Sequence, residues 1–167
     1  MVIWIIGLSG SGKTTLSKKV VEKARKDKKK VVLIDGDIFR DVFENDLGYS
    51  LSDRKKNANR ISRFCKMLDD QNINVVCGIL SIFSETRAWN RKFIDNYYEV
   101  FIDAPIDQIK KRDYKGLYKD YNDGKIKNIV GMDIEFKKPK KSDLIIKNDN
   151  SKNKLISKSN FLSSLLK

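Results

Sequence analysis

Eight residues, Gly7-Leu-Ser-Gly-Ser-Gly-Lys-Thr14, restrict the possible folds of this chain more than any other stretch. They fit G-x-x-x-x-G-K-[ST], a phosphate-binding loop, between an apolar run at Val2–Ile6 and a helix-period segment at Lys13–Lys26. Such a loop needs a strand to enter it and a helix to leave it. Its glycines let the backbone curl until successive N–H groups point inward at phosphate oxygens. The helix that follows brings its positive dipole end to the same anion. Gly7, Ser9, Gly10, Ser11, Gly12, Lys13, Thr14 and the adjoining Thr15 are therefore the candidate cofactor contacts. Lys13 is placed to reach β- and γ-phosphates, and the Thr14 hydroxyl is a candidate Mg²⁺ ligand.

The rest of the chain repeats the alternation of apolar run and helix-period segment, the pattern of an α/β protein with a parallel sheet. Further strands are expected over 31–34, 74–80, 99–102 and 143–146. Helices are expected over 38–44, 52–71, 85–96 and 106–113, with Ser52 as the N-cap of the long one. Residues 114–130 are polar and aromatic, contain Gly116 and Gly124 and have no clear strand; they read as a mobile lid. A polar linker is expected over 148–154. A terminal helix over about 154–167 then docks Leu155, Ile156, Phe161, Leu162, Leu165 and Leu166 on the core.

The chain has 167 residues, the size of one domain, and no apolar run long enough to cross a bilayer. With no targeting segment at its start it reads as cytoplasmic. Cys65 and Cys77 read as buried, reduced thiols. Histidine is absent, which removes imidazole bases and His-ligated zinc and leaves Asp, Glu, Lys or water as base. The formal charge of +13 favours anionic ligands, but its lysines are spread along the chain and no zinc-finger, RRM or KH signature accompanies them. A nucleic-acid-binding module is thus a weak rival, and no nucleic acid or membrane partner is expected. A GTPase switch is weaker still: Asp113-Tyr-Lys-Gly116 matches D-x-x-G but follows a helical stretch, and no Asn-Lys-x-Asp comes after it.

Asp35-Gly-Asp37 follows the second strand, at the sheet edge where open α/β proteins bind ligands. One carboxylate can hold water on a metal and the other can accept the proton of an attacking hydroxyl. Asp35 is the candidate metal carboxylate beside Thr14, Asp37 the candidate base, and Asp103, after the fourth strand, a rival for the metal.

With these anchors the chain resembles the adenylylsulfate kinase family over 2–148. Further matching pieces are Arg40, Asp46-Leu-Gly-Tyr-Ser50, Asp53-Arg54, Asn57, Arg60, Lys111-Arg-Asp113, Lys115-Gly-Leu-Tyr118, Lys127-Asn128, Gly131, Asp133 and Pro139. The resemblance implies a P-loop kinase domain over 1–167: a five-stranded parallel sheet flanked by helices, with a lid. It implies transfer of the γ-phosphate of MgATP to a ribose 3′-hydroxyl. Asp37 would lie near that hydroxyl, while Arg40, Arg54 and Asn57 would hold the acceptor nucleotide. Tyr49 would stack on a base, and Lys115, Gly116 and Leu117 would cover the acceptor. Arg112 or a lid lysine would stabilise the transferring phosphoryl group. A homodimer is compatible with the resemblance.

The chain also departs from the family. An Ile-Ser-Pro-Tyr-Arg-like run after the third strand reads Leu80-Ser81-Ile82-Phe83-Ser84 here. A Phe-Thr-Gly-Ile run, whose ring stacks on the acceptor adenine, reads Ile129-Val-Gly-Met132. Stacking on a base contributes roughly 1–3 kcal/mol, so an adenine acceptor is disfavoured. Ser81-Ile-Phe-Ser84, Trp89-Asn-Arg91, Asn128-Ile-Val-Gly131 and Ser142-Asp-Leu-Ile-Ile146 are similar to a branch linked to capsular polysaccharide. That branch includes kinases of cytidine diphosphoramidate, so the resemblance implies this nucleotide as acceptor, with adenylylsulfate as the alternative. Leu80 to Phe83 and Ile129 are accordingly candidate acceptor contacts.

Overall fold

A computed structural model describes residues 1–149 and 151–167. Five strands form one parallel sheet: β1 (Val2–Ile6), β2 (Val31–Asp35), β3 (Asn74–Ile79), β4 (Tyr97–Asp103) and β5 (Leu144–Lys147). Their order is β2-β3-β1-β4-β5, with Ile5 of β1 level with Gly78 of β3 and Val100 of β4. The connecting helices are α1 (Lys13–Lys26), α2 (Gly36–Val42), α3 (Leu51–Asp70), α4 (Ser84–Phe93), α5 (Ile106–Arg112), α6 (Leu117–Asn122) and α7 (Lys152–Ser164).

The period-2 geometry of a strand divides the apolar residues between two layers. Ile3, Ile5, Val76, Val100, Ile102 and Ile146 face α1 and α7, where Leu16, Val20, Val21, Ala24, Leu155 and Leu162 meet them. Val2, Trp4, Ile6, Val75, Cys77 and Phe101 face the other way, onto Phe39 of α2 and Ile61, Cys65 and Leu68 of α3. β1 is buried along its whole length. Each of its isoleucines contributes about 1.5–3 kcal/mol by leaving water. The spacing of Ala58, Ile61, Cys65 and Leu68 is the helical stripe that lets α3 lie flat on this face. Both cysteines are free thiols in this layer.

A third cluster, Leu8, Ala104, Ile109, Tyr118, Ile129 and Val130, lies beyond the carboxyl ends of the strands. It roots the 114–130 segment beneath the phosphate loop.

The structure corrects several sequence expectations. The N-cap of α3 is Ser50, not Ser52: the Ser50 hydroxyl accepts the Asp53 N–H at 3.1 Å. β4 starts two residues earlier than expected, at Tyr97. The 114–130 segment contains α6, with Tyr118 buried at 3% exposure. Residues 148–154 are not simply a linker. Asn148 is buried at 5% exposure and α7 already begins at Lys152; Asn150, within that range, lies outside the described residues. Leu155, Leu162 and Leu166 of the terminal segment are buried as expected, but Phe161 is 48% exposed. Among the described residues no helix is long and apolar enough to cross a membrane.

Candidate active site

All five strands run the same way, so the loops at their carboxyl ends share one edge. The loop after β1 leads to α1 on one face, whereas those after β2 and β3 lead to helices on the other. The divergence of neighbouring connections opens a crevice at the sheet edge. Residues 7–12, 35–37 and 80–83 all lie along it.

Within the loop, Gly10 and Gly12 have φ of 78° and 106°, left-handed conformations that a Cβ would strain. At Gly12 a Cβ would also come 2.6 Å from Leu155 of α7. The Ser11 N–H donates to the Leu8 carbonyl at 3.1 Å, closing the turn. Lys13 folds back over the loop and its Nζ donates to the Leu8 carbonyl at 2.7 Å. Burial pushes the Lys13 ammonium down to about 8. Asp35 and Asp37 pull it up in part, and Lys115 adds a smaller push down.

The Thr14 hydroxyl donates to Asp35 Oδ2 at 2.7 Å, while Asp35 Oδ1 accepts the Asp37 N–H at 3.0 Å and caps α2. A hydroxyl and a carboxylate beside a phosphate loop are hard oxygen donors of the kind Mg²⁺ takes, with phosphates and water completing the shell. The donor set therefore fits this ion. Asp103 is differently placed: it makes an ion pair with Lys138 at 2.7 Å.

Asp37 is exposed and forms an ion pair with Lys115 from the 114–130 segment. That contact raises the Lys115 pKa, with burial opposing it. Beyond Asp37 stands a cationic pair. Arg40 is buried and donates to the carbonyls of Leu47 and Gly48 at 2.8 and 3.2 Å. Arg54 donates to the Tyr49 carbonyl at 2.9 Å and the Asn128 carbonyl at 2.8 Å. Both guanidiniums lie against the Tyr49 ring, 4.6 and 5.2 Å from its centroid. Burial and the neighbouring Arg40 depress the Arg54 pKa, so an incoming anion would relieve both.

The other expected residues take the following places in the fold. Asn57 is buried on α3. Ser81 takes a left-handed φ of 51° and accepts the Trp4 indole N–H at 2.9 Å. Leu80 and Ile82 pack against the third cluster, and Phe83 is the N-cap residue of α4. Gly116 is the left-handed N-cap of α6, Leu117 packs on the third cluster, and Ile129 is 6% exposed within it. Arg112 closes α5.

Not every matching piece belongs to the site. Arg60 makes a two-pronged bond to Asp46, at 3.0 and 2.9 Å, and covers Phe43. Arg91 grips Asp143 at 3.1 and 3.0 Å, and Ser142 donates to the buried Glu99 at 2.7 Å. Glu99 is level with Trp4 in mid-sheet, so Arg91, Ser142 and Asp143 brace the end of the 137–143 segment away from the loop, while Trp89 packs against Arg63 and Phe93. Two residues absent from the expected site touch the loop instead. Asn148 Nδ2 donates to the Ser11 carbonyl at 2.8 Å, and the Tyr118 hydroxyl donates to the Ser9 carbonyl at 3.2 Å. Tyr118 lies in the matching piece Lys115-Gly-Leu-Tyr118 but no motif marks Asn148, and each contact joins residues more than 100 positions apart.

The sheet order and loop define a P-loop kinase fold. A model of the adenylylsulphate kinase family matches residues 1–147, and the chain belongs to that family. It is 39% identical over 147 residues to the cytidine diphosphoramidate kinase of Campylobacter jejuni, covering 88% of this chain and 85% of that one. It is 38% identical over 146 residues to the adenylyl-sulfate kinase of Clostridium acetobutylicum, covering 87% and 73%. The structure of the Mycobacterium tuberculosis APS kinase CysC in complex with AMPPNP and APS superposes with a TM-score of 0.88 at 33% identity, over 99% of this chain and 96% of that one. The chain is accordingly an ATP-dependent kinase. Relatives of nearly equal identity act on two different acceptors, so the family alone does not specify the substrate.

Proposed function

We propose that this kinase transfers the γ-phosphate of ATP, with Mg²⁺, to the ribose 3′-hydroxyl of cytidine diphosphoramidate in the cytoplasm. The observation that carries the acceptor is Ile129, a buried aliphatic residue where the family has a base-stacking phenylalanine. A pyrimidine needs less stacking surface than a purine, and an aliphatic wall suits it. Adenylyl-sulfate is the second reading, favoured by the close superposition on the APS-bound mycobacterial enzyme.

The mechanism follows from the chain's own groups. Loop N–H donors and Lys13 hold the donor phosphates; Thr14 and Asp35 hold Mg²⁺, which when bound neutralises charge on the β- and γ-phosphates. Arg40 and Arg54 take the acceptor's anionic 5′ group and Tyr49 its base, with Asn57 and residues 80–83 beside them. Asp37 accepts the proton of the attacking hydroxyl once Lys115 releases it. Lys115 then turns toward the transferring group, and with Arg112 stabilises its charge as the 114–130 lid covers the site. Positioning supplies most of the rate.

The test supplies the protein and MgATP with each acceptor, follows ADP release and identifies the product by phosphorus NMR. The expected result is a kcat/KM at least about tenfold higher for cytidine diphosphoramidate, within the range one pocket contact commands. The opposite ratio would select adenylyl-sulfate, and turnover of neither would sink both acceptors.

A further inference from the structure

A phosphate loop works only if its N–H groups point inward, and glycine peptides turn over easily unless something holds them. The Ser11 carbonyl and the Gly12 N–H belong to one peptide unit. The chain has no cis peptide bonds among its described residues, so the two groups point in opposite directions. Asn148 Nδ2 holds that carbonyl at 2.8 Å from the side of α7. The Gly12 N–H is thereby turned away from Asn148.

Asn148 is itself well anchored. It is 5% exposed, and its backbone N–H donates to the Asp103 carbonyl at 2.9 Å, continuing the ladder between β4 and β5. The space is full: a Cβ on Gly12 would lie 3.2 Å from Asn148 Nδ2. Gly12 has the φ of 106° from which its peptide is free to rotate, so a fixed partner on the carbonyl matters here. We propose that Asn148 is a positioning residue for nucleotide binding, which sets the Gly12 N–H donor by gripping the Ser11 carbonyl. The inference rests on the loop holding nucleotide phosphates and is independent of the acceptor.

The test compares wild type with Asn148→Asp, which keeps the shape but loses the donor, and with Asn148→Ala. ADP affinity is measured by calorimetry, and KM for ATP and for acceptor by steady-state assay. The Gly12 amide is followed by NMR in ¹⁵N-labelled protein. The expected result is ADP binding weakened about tenfold or more, as for a lost hydrogen bond to a charged group. KM for ATP should rise in parallel while KM for acceptor stays within about twofold, and the Gly12 amide should shift or broaden. ADP affinity within about twofold of wild type, or equal rises in both KM values, would overturn the proposal. If neither variant folds, the wild-type Asn148 side-chain amide decides: slow exchange with solvent supports it, and fast exchange overturns it. Wild type that bound no ADP would bring down the phosphate-loop reading and this inference together, whereas intact wild-type binding with unaffected variants would bring down this inference alone.

Discussion

Nucleotide affinity should depend on pH through Lys13. In the free protein its ammonium sits at about 8 instead of the ordinary 10.5, because the loop strips water from it and Asp35 and Asp37 restore only part of the loss. Phosphate oxygens entering the loop favour the charged form, so the bound ammonium keeps its proton well above that value. ADP affinity then follows the protonated fraction of the free protein: about nine-tenths near pH 7 and about one-eleventh near pH 9. Binding should weaken about tenfold across this interval and take up close to one proton per ADP at the alkaline end. The effect of this group on stability has the opposite sign. Between about 8 and 10.5 the unfolded chain holds a proton that the folded loop has released, so the contribution to stability grows as pH rises through that window. Calorimetry in buffers of different ionisation enthalpy reads both affinity and proton uptake. Lys13→Met should bind ADP more weakly and without this slope. A flat wild-type profile, or an unchanged slope in Lys13→Met, would refute the reasoning.

Two further outcomes test the acceptor side. Asp37→Asn should lower kcat by about 10²–10⁴-fold, the usual worth of a general base, and leave the ADP dissociation constant within about twofold; full activity would remove Asp37 from the chemistry. Ile129→Phe introduces the ring that the family resemblance places at this position. It should move the kcat/KM ratio toward adenylyl-sulfate by roughly tenfold, at about 1–3 kcal/mol of stability for overpacking the cluster around Leu8 and Tyr118, read from the denaturation midpoint.

The legible parts of the site were those whose chemistry is local. The loop from Gly7 to Thr14 and the pair Asp35 and Asp37 each need neighbours in sequence, and short spacing records that need. β1 was legible as an unbroken apolar run leading into the loop, and α1 by apolar residues recurring at intervals of 3 to 4. Less local features were misread. The cap of α3 moved to Ser50 because only backbone geometry tells which of two nearby serines meets a free N–H. α6 escaped notice because its six residues bury little except Tyr118 and are too short for a period to appear. That Arg91, Ser142 and Asp143 also brace the buried Glu99 was not legible, because those partners come from three separate elements.

By itself the sequence determined an α/β domain with a phosphate loop and a paired-carboxylate turn, because hydrophobic period and loop chemistry are written in consecutive residues; that the domain is a kinase came from its resemblance to a family. Only the tertiary structure decided that Lys115 meets Asp37, that Arg40 and Arg54 share one Tyr49 ring, and that Asn148 and Tyr118 grip the loop from outside. The physical reason is that these contacts join side chains from separate elements. Their partners are set by how strands and helices pack, which spacing along the chain does not record.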